Sequence, residues 1–348
     1  MRWPIAVLGA GILYLLLWPV PIAPVVWTPD PDPGLTGPHA PNEKLTPLEL
    51  FEPTMGRGPE DVTRGPDGRF YTGLLDGRIL RFDRSRHEVF ADTGGRPLGL
   101  HFDAAGRLIV ADADRGLLAV NADSSIEVLV DTVDGARLLL TDDLDIAADG
   151  TIWFSDASRR FPVAEWILDF WEGRGTGRLL SHDPDSGETR VWLDGLRFAN
   201  GVALGPDDAF VLVNETLAAR IWRLWLAGPR AGESEIFIDR LPGYPDNLSF
   251  NGRDTFWVAM PATRQPALER LAGKPFVRKI LLRLPEALRK IEPAPLAWVI
   301  GLEPDGGVRY SLQTGSGVYH TVTSVKEFDG QLYLGSIEMD TVARLPAP

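Results

Sequence analysis

Six times along the chain, a turn pair runs straight into a short apolar or aromatic stretch. Asp67-Gly68 leads into Phe70-Tyr71, Ala105-Gly106 into Leu108-Ile109, and Asp149-Gly150 into Ile152-Trp153-Phe154. Asp207-Asp208 then leads into Phe210-Val211, Arg253-Asp254 into Phe256-Trp257, and Asp329-Gly330 into Leu332-Tyr333. Gly and Asp tolerate the backbone of a tight hairpin. Aromatic and branched residues suit the strand that follows. Copies spaced from about 40 residues upward match four-stranded propeller blades. Long helical patterns between the strands are too few for a βαβ fold. The expected fold is all-β, a six-bladed β-propeller over residues 48–348.

Composition agrees. The 348 residues include 36 Gly and 29 Pro, suiting many short strands, and 44% are hydrophobic, enough for a sizeable core. Lys and Arg number 35 against 48 Asp and Glu, a net charge of −13. Such a surface repels phosphate backbones, so nucleic acid is not an expected partner. Acidity serves solubility equally well, but clustered carboxylates would also suit a hard cation. No cysteine is present, which excludes disulfides, thiolate nucleophiles and zinc–thiolate sites.

The chain opens on Trp3–Trp27, almost wholly apolar, with Arg2 in front and no charge inside. A bilayer-spanning helix needs roughly 20 such residues. Residues 1–27 are therefore expected to form a membrane anchor, a transmembrane helix, although Pro19, Pro21 and Pro24 interrupt its second half. The basic end would lie in the cytoplasm and the propeller on the extracytoplasmic side. A cleaved signal segment is the alternative. Residues 28–47 read as a Pro-rich linker.

Two insertions break the blade rhythm. Ser158–Thr176 is rich in aromatics and Arg. Residues 263–295, in blade 5, carry Leu268, Leu271, Val277, Ile280, Leu281, Leu284 and Leu288 at helix-like intervals. They also carry Arg264, Arg270, Lys274, Arg278, Lys279, Arg283, Arg289 and Lys290, a basic excess on an acidic chain. The segment reads as a helical insertion packed on the propeller, or as a lid or lipid-touching face.

Eight residues before the turn residue of each copy stand Glu60, Leu98, Asp142, Asn200, Asp246 and Val322. The innermost strand of each blade lines the central channel, so equivalent positions form a ring. Three carboxylates and an amide in that ring would repel and be costly to bury. A cation removes the cost. All-oxygen donors without His or Cys indicate Ca²⁺ before Mg²⁺, and not zinc. Asp61, Asp143 and Asn247 follow ring members directly and are candidates for an additional metal. Taken singly, each is equally a turn or cap residue.

The same residues carry a family resemblance. Gly58-Pro59-Glu60-Asp61-Val62, Thr141-Asp142-Asp143-Leu144-Asp145, Phe198-Ala199-Asn200-Gly201-Val202 and Leu241-Pro242-Gly243-Tyr244-Pro245-Asp246-Asn247 resemble the strictosidine synthase-like branch of the calcium-dependent propeller hydrolases. Gluconolactonase/regucalcin and paraoxonase belong to the same superfamily, and the adipocyte plasma membrane-associated proteins are N-terminally anchored members of this branch. The resemblance covers roughly Leu48 to Leu345. It implies that Glu60, Asp142, Asn200 and Asp246 ligate a catalytic calcium, and that Asp61 and Asp143 lie near a structural one. Three departures stand out. Asp142 stands where relatives usually carry Asn. Thr323 occupies the position of the glutamate that strictosidine synthases use for Pictet–Spengler condensation, and Leu98 replaces the ring histidine of paraoxonases.

The leading expectation is a calcium-dependent hydrolase of esters or lactones. Asp246 is the catalytic candidate, as nucleophile or as base toward water. Leu98, Val322, Thr323, His320 and Tyr244, with Tyr319, would line a pocket for a small hydrophobic substrate. His101 and His320 are weaker candidates for a base. A calcium-stabilised binding or adhesion module without turnover is the first alternative, and a strictosidine synthase-like condensing enzyme the second.

Overall fold

The structure is a computed structural model that describes residues 2–51, 55–84, 86–289 and 294–348. Six four-stranded antiparallel sheets follow one another along the chain. Their innermost strands are Val62–Arg64, Pro97–Phe102, Thr141–Ile146, Ala199–Leu204, Leu248–Phe250 and Val322–Phe328, in blades 1 to 6. Each of the six turn pairs joins an innermost strand to the next strand out. Phe102 thus pairs with Leu108, Ile146 with Ile152 and Phe250 with Phe256. Gly106, at φ +79°, occupies the left-handed backbone that its hairpin requires. In blade 5 the left-handed residue is Gly252, and Asn251 Oδ1 accepts the amides of Arg253, Asp254 and Thr255.

Closure uses both ends of the propeller. Glu49–Leu50 pairs with Ala343–Pro346 and completes blade 6 as its outermost strand. Apolar clusters fill the spaces between blades. One joins blades 4 and 5 through Leu212, Ile221, Phe256 and Trp298, and another joins blades 5 and 6 through Trp257, Val299, Val325 and Leu334.

The two insertions leave their blades at the same end. Each follows the second strand, after Asp156 in blade 3 and after Ala259 in blade 5. In antiparallel blades that is the end where innermost strands begin. The blade 3 insertion holds the helix Trp166–Glu172; the blade 5 insertion holds Pro266–Arg270, Pro275–Leu282 and Glu286–Arg289. Lys290 and the 290–293 stretch lie outside the described residues.

The N-terminal segment differs from a single spanning helix. Its helix covers Arg2–Leu17, 16 residues, and the prolines from Pro19 onward end it. At about 1.5 Å per residue it falls short of the roughly 30 Å apolar layer of a bilayer. No helix among the described residues is long and apolar enough to cross a membrane. Residues 19–27 run instead as an arm across the insertions, where Ile22 and Trp27 are buried. The Pro-rich 28–47 segment lies along blade 5. There Leu45 is buried, Gln313 Nε2 donates to His39 O at 3.1 Å, and the His39 ring meets Trp298 edge-on.

Candidate metal centre

The ring positions fall where the innermost strands begin. In blades 2, 3, 4 and 6 the strand pairing is irregular there, with breaks at Pro97/Leu100, Thr141/Leu144, Ala199/Val202 and Val322/Ser324. Such bulges re-aim side chains that a regular strand would send to alternate faces. Glycines then let neighbouring blades close on one another. A Cβ on Gly201 would lie 2.4 Å from Asp246 O, and one on Gly99 would lie 2.7 Å from Asp143 Cα.

Glu60, Asp142, Asn200 and Asp246 are brought together, with Asn247 among them. Asn247 Nδ2 donates to Glu60 Oε1 at 2.9 Å, and Asn200 hydrogen-bonds the Asp246 carboxylate. Glu60, Asp142, Asn200 and Asn247 are buried, while Asp246 keeps a partly exposed edge. Burial, reinforced by repulsion from Asp246 and from their own neighbours Asp61 and Asp143, pushes the Glu60 and Asp142 carboxyls well above the usual range. Burial, then Asp143, pushes Asp246 up to about 7 against the hydrogen bond from Asn200. Among these five residues, three buried oxygens have no hydrogen-bond partner: Glu60 Oε2, Asn200 Oδ1 and Asn247 Oδ1. Oxygen donors that repel one another and lack partners fit a hard cation. As they stand, no three His, Cys, Asp or Glu side chains among the described residues form a group able to hold a metal ion. The donor set is thus carboxylate and amide together.

Asp61 and Asp143 have other partners. Asp61 accepts from the Val62 and Leu100 amides at 2.7 and 2.9 Å, and from Lys326 Nζ at 2.6 Å. Asp143 accepts from Leu144 and Val202 at 2.8 and 2.9 Å, and Asp145 from Ile146 and Leu204, both at 2.8 Å. These carboxylates staple blade 1 to blade 2 and blade 3 to blade 4. Burial opposes the Lys326 charge, but Asp61 and Asp143 outweigh it and raise the ammonium.

The expected pocket residues scatter. Thr323 adjoins the ring, its hydroxyl donating to Glu60 O at 3.0 Å. Leu98 packs with Trp27, Phe170, Phe198 and Leu268, so the arm and both insertions cover the ring's apolar side. Tyr244 meets the Phe170 ring and accepts the Gln265 amide at 3.0 Å, at the base of this cap. Val322 is not a pocket wall, because it is fully buried between blades 5 and 6. Tyr319 shares that core and donates to Leu334 O at 2.9 Å. His320 turns to Thr321 and Glu338, and His101 lies 3.5 Å from Asp145; neither contacts a ring carboxylate.

Arg96 escaped the sequence reading. It is buried, donates to Gly58 O at 3.0 Å, and its charge acts on both Glu60 and Asp142. It lies two residues before Leu98, so a reading confined to the ring register passes over it. A cleft of about 790 Å³ lies elsewhere, on the flank of blades 3 and 4, between Trp153, Trp192 and Trp225 at the opposite end of the strands.

Comparison with known proteins agrees with this architecture. The family model for strictosidine synthase matches residues 142–229, and that for the strictosidine synthase-like N-terminal segment matches 37–82. The adipocyte plasma membrane-associated protein of Rattus norvegicus is 34% identical over 98% of this chain and 96% of its own length. Strictosidine synthase-like 13 of Arabidopsis thaliana is 34% identical over 87% of this chain and 78% of its own. The chain belongs to the strictosidine synthase-like family. Solved structures share the fold at low identity. A gluconolactonase from Xanthomonas campestris covers 86% of this strictosidine synthase-like chain and 90% of its own, at TM-score 0.64 and 17% identity. A calcium-binding regucalcin from Agrobacterium tumefaciens covers 84% and 91%, at TM-score 0.59 and 15% identity.

Proposed function

We propose that this strictosidine synthase-like propeller is a membrane-associated, calcium-dependent hydrolase of esters or lactones. The observation that carries the reading is the set of buried, partnerless oxygens on Glu60, Asn200 and Asn247, beside two further carboxylates. Glu60, Asp142, Asn200 and Asp246 would hold the ion, with Asn247 as an additional ligand. Bound calcium would supply Lewis acidity toward a carbonyl oxygen. Asp246 is the one acidic ring residue that is only half-buried, and burial pushes its carboxyl up to about 7, which suits proton transfer. Asn200 orients it. Leu98, Phe170 and Phe198 favour an apolar substrate. Condensation chemistry has no carboxylate at Thr323, whose hydroxyl is bonded to backbone. Names of neighbours such as gluconolactonase, and of relatives associated with the plasma membrane, support the same assignment. The apolar helix Arg2–Leu17 would associate with the membrane, with the propeller on the extracytoplasmic side.

One observation favours a second reading. Trp27, Phe170 and Leu268 cover the ring's apolar side, as in a calcium-stabilised binding module that needs no substrate entry. The full chain would be assayed on aryl esters and lactones, with calcium and with a chelator, beside Asp246→Asn. Turnover lost in both cases, by roughly 100-fold or more, is expected of the hydrolase. A calcium-dependent rise in melting temperature without turnover on any substrate would favour the binding module.

A further inference from the structure

The N-terminal helix does not hang free. A helix leaves its last carbonyls without partners inside it. Here Arg283, from the blade 5 insertion, donates to Leu15 O at 2.9 Å and to Trp18 O at 2.6 Å, and the Tyr14 hydroxyl donates back to Arg283 O at 3.3 Å. Buried Arg278 donates to the carbonyls of Trp171, Glu172 and Ala272, each at 3.0 Å, and also to Val25 O. Two arginines of one insertion therefore lock the helix end, the arm and the blade 3 insertion into one body. It is the body that covers the channel.

This body concentrates exposed apolar surface. Of 19 exposed large hydrophobics among the described residues, 14 lie on it, including Leu8, Trp18, Trp166, Phe276 and Leu288. Soluble surfaces scatter such residues singly, and their concentration on one part of a molecule marks an interaction site. Charge names the partner. Residues 264–289 carry seven Arg and Lys against Glu269 and Glu286; with Arg264 and Arg278 buried, Arg270, Lys274, Lys279, Arg283 and Arg289 remain at least partly exposed on a chain of −13. Apolar side chains beside cations suit an anionic lipid surface.

We propose that the blade 5 insertion is a second lipid contact, and that with the N-terminal helix it docks the channel end of the propeller on an anionic bilayer. The inference rests on the membrane association proposed above and not on the calcium chemistry.

The natural absence of cysteine permits a clean test. Leu8→Cys, Phe276→Cys and Val128→Cys, the last on the outer strand of blade 2, would each carry one fluorophore on the full chain. The chains would be mixed with phosphatidylcholine vesicles, with and without phosphatidylserine, that contain acyl-chain quenchers. Labels at 8 and 276 should be quenched and the label at 128 spared. Quenching at 276 should rise severalfold with phosphatidylserine and fall by roughly half or more when Arg270→Glu and Lys274→Glu are added. Quenching at 8 but not at 276 would leave the helix as an anchor and overturn the inference. No quenching at either would overturn the membrane reading and the inference with it. Quenching at 276 indifferent to phosphatidylserine and to charge reversal would overturn the anionic docking.

Discussion

Two layers of acid line the same channel and meet opposite fates. In the upper layer, Glu60, Asp142 and Asp246 repel one another, and oxygens of Glu60, Asn200 and Asn247 have no partner. One residue along, Asp61 and Asp143 are satisfied by amides of their own and the next blade, and Asp61 by Lys326 as well. In sequence the two layers look alike, as adjacent acids at a strand start. What separates them is who supplies the protons. A layer satisfied by amides and an ammonium is structural, whereas an unsatisfied layer suits the cation-binding role proposed for it.

The largest effect should come from the lower layer. Lys326→Met leaves Asp61 and Asp143 buried without their counter-charge, and should cost about 3–5 kcal/mol in urea unfolding. Adding Asp61→Asn should recover most of that loss. Glu60→Gln in the upper layer should act with the opposite sign. Without calcium it removes a buried repulsive carboxyl and should stabilise by about 1–2 kcal/mol, seen as a higher melting temperature. If Glu60→Gln destabilises as Lys326→Met does, the two layers are alike and the contrast fails.

Asp145→Ala withdraws the acceptor for the Ile146 and Leu204 amides, and should cost roughly 1–2 kcal/mol with no change in response to calcium. A smaller effect belongs to the cap. Asp169, bonded to Ser158 at 2.5 Å, is pushed up to about 7, by burial first and then by Glu172. Its proton is held in the folded chain to about pH 7 but leaves the unfolded chain near the ordinary carboxyl value. Stability from this group is therefore full below about pH 4, declines as pH rises toward 7, and is flat above. Melting temperatures at pH 5 and pH 8 should fall less with pH in Asp169→Asn than in the parent, by a few degrees.

Much of this was legible in the chain itself, for a physical reason. A hairpin turn and the strand after it are encoded by neighbours, so pairs such as Asp149-Gly150 with Trp153 announce a blade directly. The approach of Glu60, Asp142, Asn200 and Asp246 was legible because equivalent strand positions converge on one axis, although the equivalent Val322 turns into the core between blades 5 and 6. The closing strand Glu49–Leu50 was not, because two residues carry no periodicity. Nor were the bonds from Arg283 to Leu15 and from Arg278 to Trp171, which join residues 268 and 107 positions apart. The apolar run of Trp3–Trp27 suggested a spanning helix, but prolines and the arm's burial against the insertions divide it. His320 and Val322 precede or open an innermost strand, yet Glu338 and the blade 5 core claim them.

The most direct measurement is a calorimetric titration of calcium into the full chain and into Asp246→Asn. Saturable binding in the parent, lost or weakened by at least about 10-fold in the variant, is the predicted result; a 10-fold loss corresponds to about 1.4 kcal/mol. A parent that takes up no calcium, or an Asp246→Asn chain that binds it equally well, would contradict a cation site at the axis.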